Sequence, residues 1–326
     1  MSVISILGAG VAGLCVANEL LSRGAAIRVF DKQPQPGPHA CSWWAGGMLA
    51  PFCERESAEE PVIRFGAEAI DWWSEHTGVV TRKGSLVLST TRDRNELVRF
   101  GNRTRDFALL NEAEVAELEP DLGGHIRQAL HFSGEAHLDP REALLKLAQN
   151  LTDAGVPIEA GEPEAGSVII DCRGMAAQDQ LPDMRGVKGE MLVLHCPGLN
   201  IQRPVRFIHP RMPLYIVPRG DGIYMLGATM LETAEGHRLT VRSVLELLSA
   251  AYALHPAFAE AEIIETGVDV RPAFADNLPR IRRVDNVIYI NGLYRHGYLL
   301  SPALARLTAD LLLLNKQPEA FYASSL

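Results

Sequence analysis

At 326 residues the chain is longer than one hydrophobic core usually serves, so two domains around a shared cleft are expected. Its 47% hydrophobic and 22% charged content is that of a globular enzyme, and a formal net charge of −9 argues against nucleic acid as the main partner. The five cysteines, Cys15, Cys41, Cys53, Cys172 and Cys196, are odd in number and form no C-x-x-C pair, so neither a disulfide framework nor a metal site is expected.

Residues 3–7 are a short apolar run ending in glycines, without the basic start and cleavage site of a secretory signal, which predicts a cytoplasmic location. Helical spacing follows through Leu14, Ala17, Leu20 and Leu21, then a second apolar run at 27–30: a βαβ opening. A Pro/Gly stretch over 33–39 leads to Ser42-Trp43-Trp44-Ala45-Gly46-Gly47-Met48, and one helix is predicted from about 59 to 76. Residues 79–82 and 85–89 flank Lys83-Gly84 and read as a hairpin, marking a change to antiparallel character. Asn111 with Glu114, and Asp139 with Pro140 and Glu142, are helix-start signals, the second helix running to about residue 154. Val168-Ile169-Ile170-Asp171 reads as a return to a parallel sheet. From 187 to 270 short strands alternate with turns, interrupted by a helix at 240–254. The C-terminal stretch repeats the opening pattern: strand 287–290, loop 291–298 and helix 301–315, with that loop at the carboxyl edge of the sheet, where open α/β sheets place ligands. No apolar run reaches the roughly 18 residues of a membrane span.

Gly8-Ala9-Gly10-Val11-Ala12-Gly13 is a G-x-G-x-x-G directly after a strand and before a helix, with Asp31 closing the second strand. Gly8 permits the tight turn, Gly10 lets backbone approach a pyrophosphate, Gly13 lets helix pack on strand, and the helix N-terminus, with Val11 and Ala12, turns its positive end to the phosphates. Asp31 would accept hydrogen bonds from ribose hydroxyls, with Lys32 beside it. The motif does not separate FAD from NAD.

Three further segments carry a family resemblance: Trp44-Ala45-Gly46-Gly47-Met48-Leu49-Ala50-Pro51; Tyr215-Ile216-Val217-Pro218-Arg219 with Leu226-Gly227-Ala228-Thr229-Met230; and Val270-Arg271-Pro272 with Gly292-Leu293-Tyr294-Arg295-His296-Gly297-Tyr298-Leu299-Leu300-Ser301-Pro302. Together, in order and over nearly the full length, they resemble the D-amino acid oxidase family, most closely its bacterial glycine oxidase branch linked to thiamine biosynthesis.

The resemblance implies an α/β fold: a Rossmann-like FAD-binding domain from segments 1–80, 126–182 and 279–326, and an antiparallel-sheet α+β substrate domain from 81–125 and 183–278. It implies FAD with Ala45, Gly46, Gly47 and Met48 against the flavin ring, where small residues allow close backbone approach. Gly297, Tyr298, Leu299 and Leu300, after His296, would direct amide N–H groups at a helix start towards the flavin N1/O2 edge. Cys172 and Gly174 would lie near the ribityl-phosphate region. Between residues 158 and 168 the chain departs from the family, holding only a few polar residues where relatives insert a longer β-meander. The family cysteine that ties flavin covalently near Arg271 is missing, so non-covalent FAD is expected.

Arg271 matches the family arginine that clamps the substrate carboxylate as a bidentate fork. Tyr215 matches a tyrosine near that carboxylate, and Arg295 a second basic position. The alternatives are a salt bridge from Arg271 to Asp269 or Asp276, a core role for Tyr215, and a surface or FAD contact for Arg295. His209 and His296 read better as satisfied histidines than as bases, and Trp72 and Trp73 as core. The implied reaction is oxidative deamination of glycine or another small amino acid, with hydride passing from Cα to flavin N5, hydrolysis of the imine to a 2-oxo acid and ammonia, and O2 reduced to hydrogen peroxide. The expected partners are that substrate and O2, with a homo-oligomer as the expected assembly. The rival readings are a D-amino acid or secondary-amine dehydrogenase using another electron acceptor, an NAD-dependent dehydrogenase and a non-catalytic FAD-binding subunit.

Overall fold

Two sheets, one mostly parallel and one mostly antiparallel, are built by a chain that passes between them repeatedly, as seen in a computed structural model describing residues 3–90, 93–164, 166–209, 212–235 and 238–323. Strand β1 (Ile4–Leu7), helix α1 (Val11–Ser22) and strand β2 (Ile27–Phe30) form the opening unit, with β1 and β2 parallel and Ile4 opposite Ile27. A 3-10 turn, Cys41–Trp44, leads to β3 (Met48–Leu49), α2 (Pro51–Glu54), α3 (Glu60–Gly66) and α4 (Ala69–Thr77). Next come β4 (Ser85–Ser89), α5 (Arg94–Arg103), β5 (Ala108–Asn111), α6 (Glu112–Leu118) and β6 (Gln128–Phe132). They are followed by β7 (Ala136–His137), α7 (Pro140–Asp153), β8 (Ile158–Glu159) and β9 (Val168–Asp171). The middle of the chain supplies β10 (Arg185–His195), β11 (Val205–Ile208), β12 (Leu214–Pro218), β13 (Ile223–Gly227), α8 (Val241–Leu254) and β14 (Glu262–Ala273). It closes with β15 (Arg280–Val284), β16 (Val287–Asn291), α9 (Gly297–Leu314) and β17 (Tyr322–Ala323).

The first sheet has the order β17-β15-β16-β9-β1-β2-β8, parallel except where β15 runs against β16. Parallel strands must be covered on their faces. Here α1, α4, α7 and α9 join β1, β2, β9 and β16 in one core around Ile6, Leu14, Leu20, Trp73, Leu144 and Leu304. The second sheet, β14-β10-β13-β12-β11-β4-β6-β5, is antiparallel apart from the β11/β4 pair. Its outer face packs on α8 through Leu247, Ala250, Ala251 and Leu254. The stretch 126–182 is shared between the sheets, since β6 pairs with β4 and β5 while β9 pairs with β1 and β16.

The helix starts at Asn111 and Asp139 form as the sequence signals them. Asn111 makes a full capping box with Glu114, and the Asp139 carboxylate accepts from the N–H groups of Arg141 (2.7 Å) and Glu142 (3.3 Å). Three expectations are corrected. The helix over 59–76 is two helices, α3 and α4, and Gly66, the last residue of α3, packs so close to α9 that a Cβ would stand 2.7 Å from Leu299 Cγ. No hairpin forms across Lys83-Gly84: β4 is interior, with β6 on one edge and β11 on the other, so residues 79–82 find no edge to pair with, and Thr81 bridges His137 instead. Helix α9 starts at Gly297 rather than Ser301, with Pro302 inside it. Proline cannot donate to the carbonyl four residues back, and the Tyr298 carbonyl accepts from Trp73 Nε1 at 2.8 Å instead. The earlier start makes α9 18 residues of mean hydropathy 1.3, long and apolar enough to span a bilayer, yet 72% of it is buried beside α1 and α4.

Candidate active site

A cavity of about 1080 Å³ runs from the Gly8–Gly10 turn, past the 45–48 segment, to Arg271. It exceeds the roughly 300–1,000 Å³ of ordinary small-molecule pockets, as a dinucleotide with a substrate beside it requires. Nearly every site residue taken from the sequence lines it: Gly8, Gly10, Val11, Ala12, Asp31, Lys32, Ala45 to Met48, Cys172, Gly174, Tyr215, Arg271 and Arg295 to Leu299. Gly13 and Leu300 do not; a Cβ on Gly13 would stand 1.8 Å from the Gly8 carbonyl oxygen, so Gly13 serves strand–helix contact behind the wall.

At the nucleotide end, Gly8 has φ +94° and a Cβ there would meet the Cys172 carbonyl oxygen at 2.7 Å, so only glycine fits between β1 and the end of β9. A Cβ on Gly10 would meet only Ser42 Oγ, at 3.5 Å, which leaves the backbone open to the cleft where α1 begins. Asp31 Oδ2 accepts from Ala9 N–H at 2.6 Å and Oδ1 from Gln33 N–H at 3.1 Å, so this carboxylate also fixes the glycine turn. The turn, the helix N-terminus and the carboxylate fit the pyrophosphate and ribose of FAD.

In the middle of the cleft, the Tyr215 ring on β12 lies between two glycines; a Cβ would stand 2.9 Å from the ring at Gly46 and 2.7 Å from it at Gly227. Gly47, with φ +72°, turns the chain so that its carbonyl accepts from Leu138 N–H at 3.0 Å. Beyond these, α9 opens with its N-terminal amides at Gly297, Tyr298 and Leu299 on the cavity wall. The Tyr298 hydroxyl points away, donating towards the carbonyls of Ser42 (3.0 Å) and Pro140 (3.2 Å).

At the far end Arg271, on β14, donates from Nη1 to the Thr229 carbonyl at 3.2 Å and lies over Gly189 of the neighbouring β10. Of the two aspartates weighed as rival partners, Asp276 binds Arg280 at 3.2 Å, while Asp269, whose Oδ1 accepts from Val270 N–H at 2.7 Å, lines the same cleft as Arg271. Thr229 is held in turn by Glu190, whose N–H donates to Thr229 Oγ1 at 2.9 Å, and Glu190 is buried against Lys188 at 2.8 Å.

Arg295 is engaged differently from Arg271. Its Nη2 donates to Glu54 Oε2 at 2.8 Å and Ser57 Oγ at 3.3 Å, while Glu54 Oε1 accepts from Arg206 Nη2. Burial would raise the Glu54 carboxyl, but Arg206, then Arg295 and His296, outweigh it and hold the group well below the usual carboxylate range. Burial is also the main reason that the His296 imidazole, 3.8 Å from Glu54, is lowered to about 4. Glu54 and Arg206 were not singled out from the sequence, because neither sits in a local motif. His209 also lines the cleft, and the cysteines are all free, with Cys41 and Cys172 on its wall.

A glycine turn feeding a helix N-terminus at one end of a cleft, and a buttressed guanidinium at the other, is the layout of a dinucleotide-dependent oxidoreductase. The family described as DAO, FAD dependent oxidoreductase, matches residues 4–311, and this chain belongs to it. It is 49% identical over 322 residues to a Rhizobium etli protein carrying the provisional name thiamine biosynthesis oxidoreductase ThiO, covering 97% of this chain and 98% of that one. It is 26% identical to a glycine oxidase of Bacillus licheniformis, covering 95% of this chain and 92% of that one. The fold matches the crystal structure of a glycine oxidase from Bacillus cereus with a TM-score of 0.82 at 23% identity, covering 98% and 96% of the two chains. The cofactor is FAD, as the family requires.

Proposed function

We propose that this FAD-dependent oxidoreductase oxidises the amine of glycine or another small amino acid, yielding an imine that water hydrolyses to a 2-oxo acid and ammonia, with O2 reduced to hydrogen peroxide, and that it supplies thiazole formation in thiamine biosynthesis. The observation that carries the reading is Arg271, set over Gly189 and tied to the Thr229 carbonyl on the cleft wall. The names of the Rhizobium etli and Bacillus licheniformis relatives support the pathway and the substrate class.

When bound, FAD supplies the acceptor for the two electrons of the amine. Arg271 binds the substrate carboxylate with its planar fork, fixing both position and rotation, which a lysine would not do. Tyr215 stands on the same wall, its ring held in place by the Gly46 and Gly227 backbones. Orientation is the main contribution these residues make. The amine must be neutral to react, and two ionisable groups on the cleft wall are poorly suited to take its proton: Glu54 is locked between Arg206 and Arg295, and His296 is buried with its imidazole lowered to about 4. In this reading the ammonium proton leaves to water.

Oxygen uptake by the FAD-loaded protein with glycine, with ammonia, glyoxylate and peroxide in equal amounts, tests the reaction. Arg271→Ala is expected to raise KM about thirtyfold, the loss of about 2 kcal/mol of charge-assisted binding, while FAD stays bound. An unchanged KM would reject the clamp, and turnover only with an artificial acceptor would favour the dehydrogenase reading.

A further inference from the structure

Arg219 follows β12, does not line the cleft, and its side chain is only 11% exposed. Its Nη2 donates to the carbonyls of Ala45 (3.3 Å) and Gly46 (2.9 Å), its Nη1 to that of Leu138 (3.2 Å), and its Nε faces Asp139 Oδ2 at 3.2 Å. Asp139 is itself fixed as the cap of α7, and Leu138 N–H takes the Gly47 carbonyl at 3.0 Å. Three consecutive carbonyls of the 45–47 turn are thus drawn back into the protein. A planar trans peptide points its N–H opposite its carbonyl. The N–H groups of Gly46 and Gly47 therefore face the cleft, where no described residue accepts from them.

We propose that Arg219 is a positioning residue: by gathering the carbonyls of Ala45, Gly46 and Leu138 it presents the N–H groups of Gly46 and Gly47 as a donor edge for the polar rim of the FAD ring system. This rests on the reading that the 45–48 segment borders that ring. A buried guanidinium suits the task because its fork serves three carbonyls and a carboxylate at once, whereas an ammonium is a single point of charge. Without it the peptides could rotate and turn carbonyl oxygens towards a ring that gains negative charge on reduction.

The test compares FAD-loaded Arg219→Met and Arg219→Lys with wild type, and with Arg203→Met as a control. Arg203 is equally buried, faces Glu119 at 2.8 Å and lies outside the cleft. Both Arg219 variants are expected to bind FAD at least about tenfold more weakly, to shift the visible flavin band and to make the flavin midpoint potential more negative. Arg203→Met should lose thermal stability and keep all three values. If Arg219→Met does not fold, Arg219→Lys, which keeps the cation, and Asp139→Asn, which removes the charge facing Nε, decide the matter. Wild-type affinity, band and potential in a folded Arg219 variant, or equal shifts in Arg203→Met, overturn the proposal. Gly46→Ala marks the turn itself: if it perturbs the flavin band while Arg219 variants do not, only the role of Arg219 fails, and if it too is silent, the placement of the turn beside the ring fails.

Discussion

Replacing Gly189 with alanine should weaken substrate binding by displacing the Arg271 guanidinium while leaving Arg271 itself unchanged. A Cβ at this position would stand 2.3 Å from Nη2 and 2.6 Å from Cζ of Arg271. Ordinary carbon–nitrogen contact is about 3.5 Å, so the guanidinium must retreat by about 1 Å and strain its bond to the Thr229 carbonyl. The obstructing atoms are the far end of a flexible side chain, so the fold itself should absorb the change within about 1 kcal/mol. A misplacement of about 1 Å in an orienting group can cost about a hundredfold, and a clamp that can partly readjust should lose between about tenfold and that figure in kcat/KM. Steady-state oxygen uptake against glycine concentration measures this, with the ratio of flavin to protein absorbance confirming full loading. Unchanged kinetics in a loaded, folded Gly189→Ala protein would refute the placement of the substrate carboxylate at Arg271.

Two further outcomes concern stability. Burial raises the Glu135 carboxyl from 4.5 to about 7, against opposing bonds from Ser85 Oγ and Cys53 N–H and the charge of Arg206. A group raised on folding contributes stability that is complete below its unfolded value and lost as pH rises through its folded one, here up to about 3 kcal/mol across that window. Glu135→Gln should therefore gain stability relative to wild type between about pH 5 and about pH 8 in urea unfolding; a constant difference would show that Glu135 is not titrating in this range. Trp73→Phe leaves the Tyr298 carbonyl without the donor that replaces the missing Pro302 N–H and removes volume from a side chain with 0% exposure. A loss of about 2–4 kcal/mol is expected by denaturant titration, and a loss near zero would mean that another donor reaches that carbonyl.

The opening βαβ unit, both capped helices and the dinucleotide turn were legible because each is written in neighbouring residues: the glycines adjoin their strand and helix, and Asn111 and Asp139 each cap the turn that follows. That Arg271 and Tyr215 would line one cleft was legible through family segments. The Glu54 cluster was not, since Glu54 meets Arg206 and Arg295 across 152 and 241 positions, and no periodicity encodes such distances. Arg219 was quoted inside a matching segment, yet its bonds run to a turn 173 positions away. The failed hairpin has the same origin. Lys83-Gly84 is a good turn locally, but the edges of β4 are taken by β6 and β11, a fact of tertiary pairing. At α9, Ser301-Pro302 imitates a helix start, but the helix begins a turn earlier, and the Tyr298 carbonyl that Pro302 cannot serve is met by the indole of Trp73, far off in sequence.

The most direct measurement is anaerobic mixing of the FAD-loaded protein with glycine while the visible flavin band is followed. The predicted result is bleaching that saturates with glycine and reverses when air is admitted. A flavin that stays oxidised with glycine, sarcosine, D-alanine and D-proline alike would contradict the assignment of amine oxidation to this cleft.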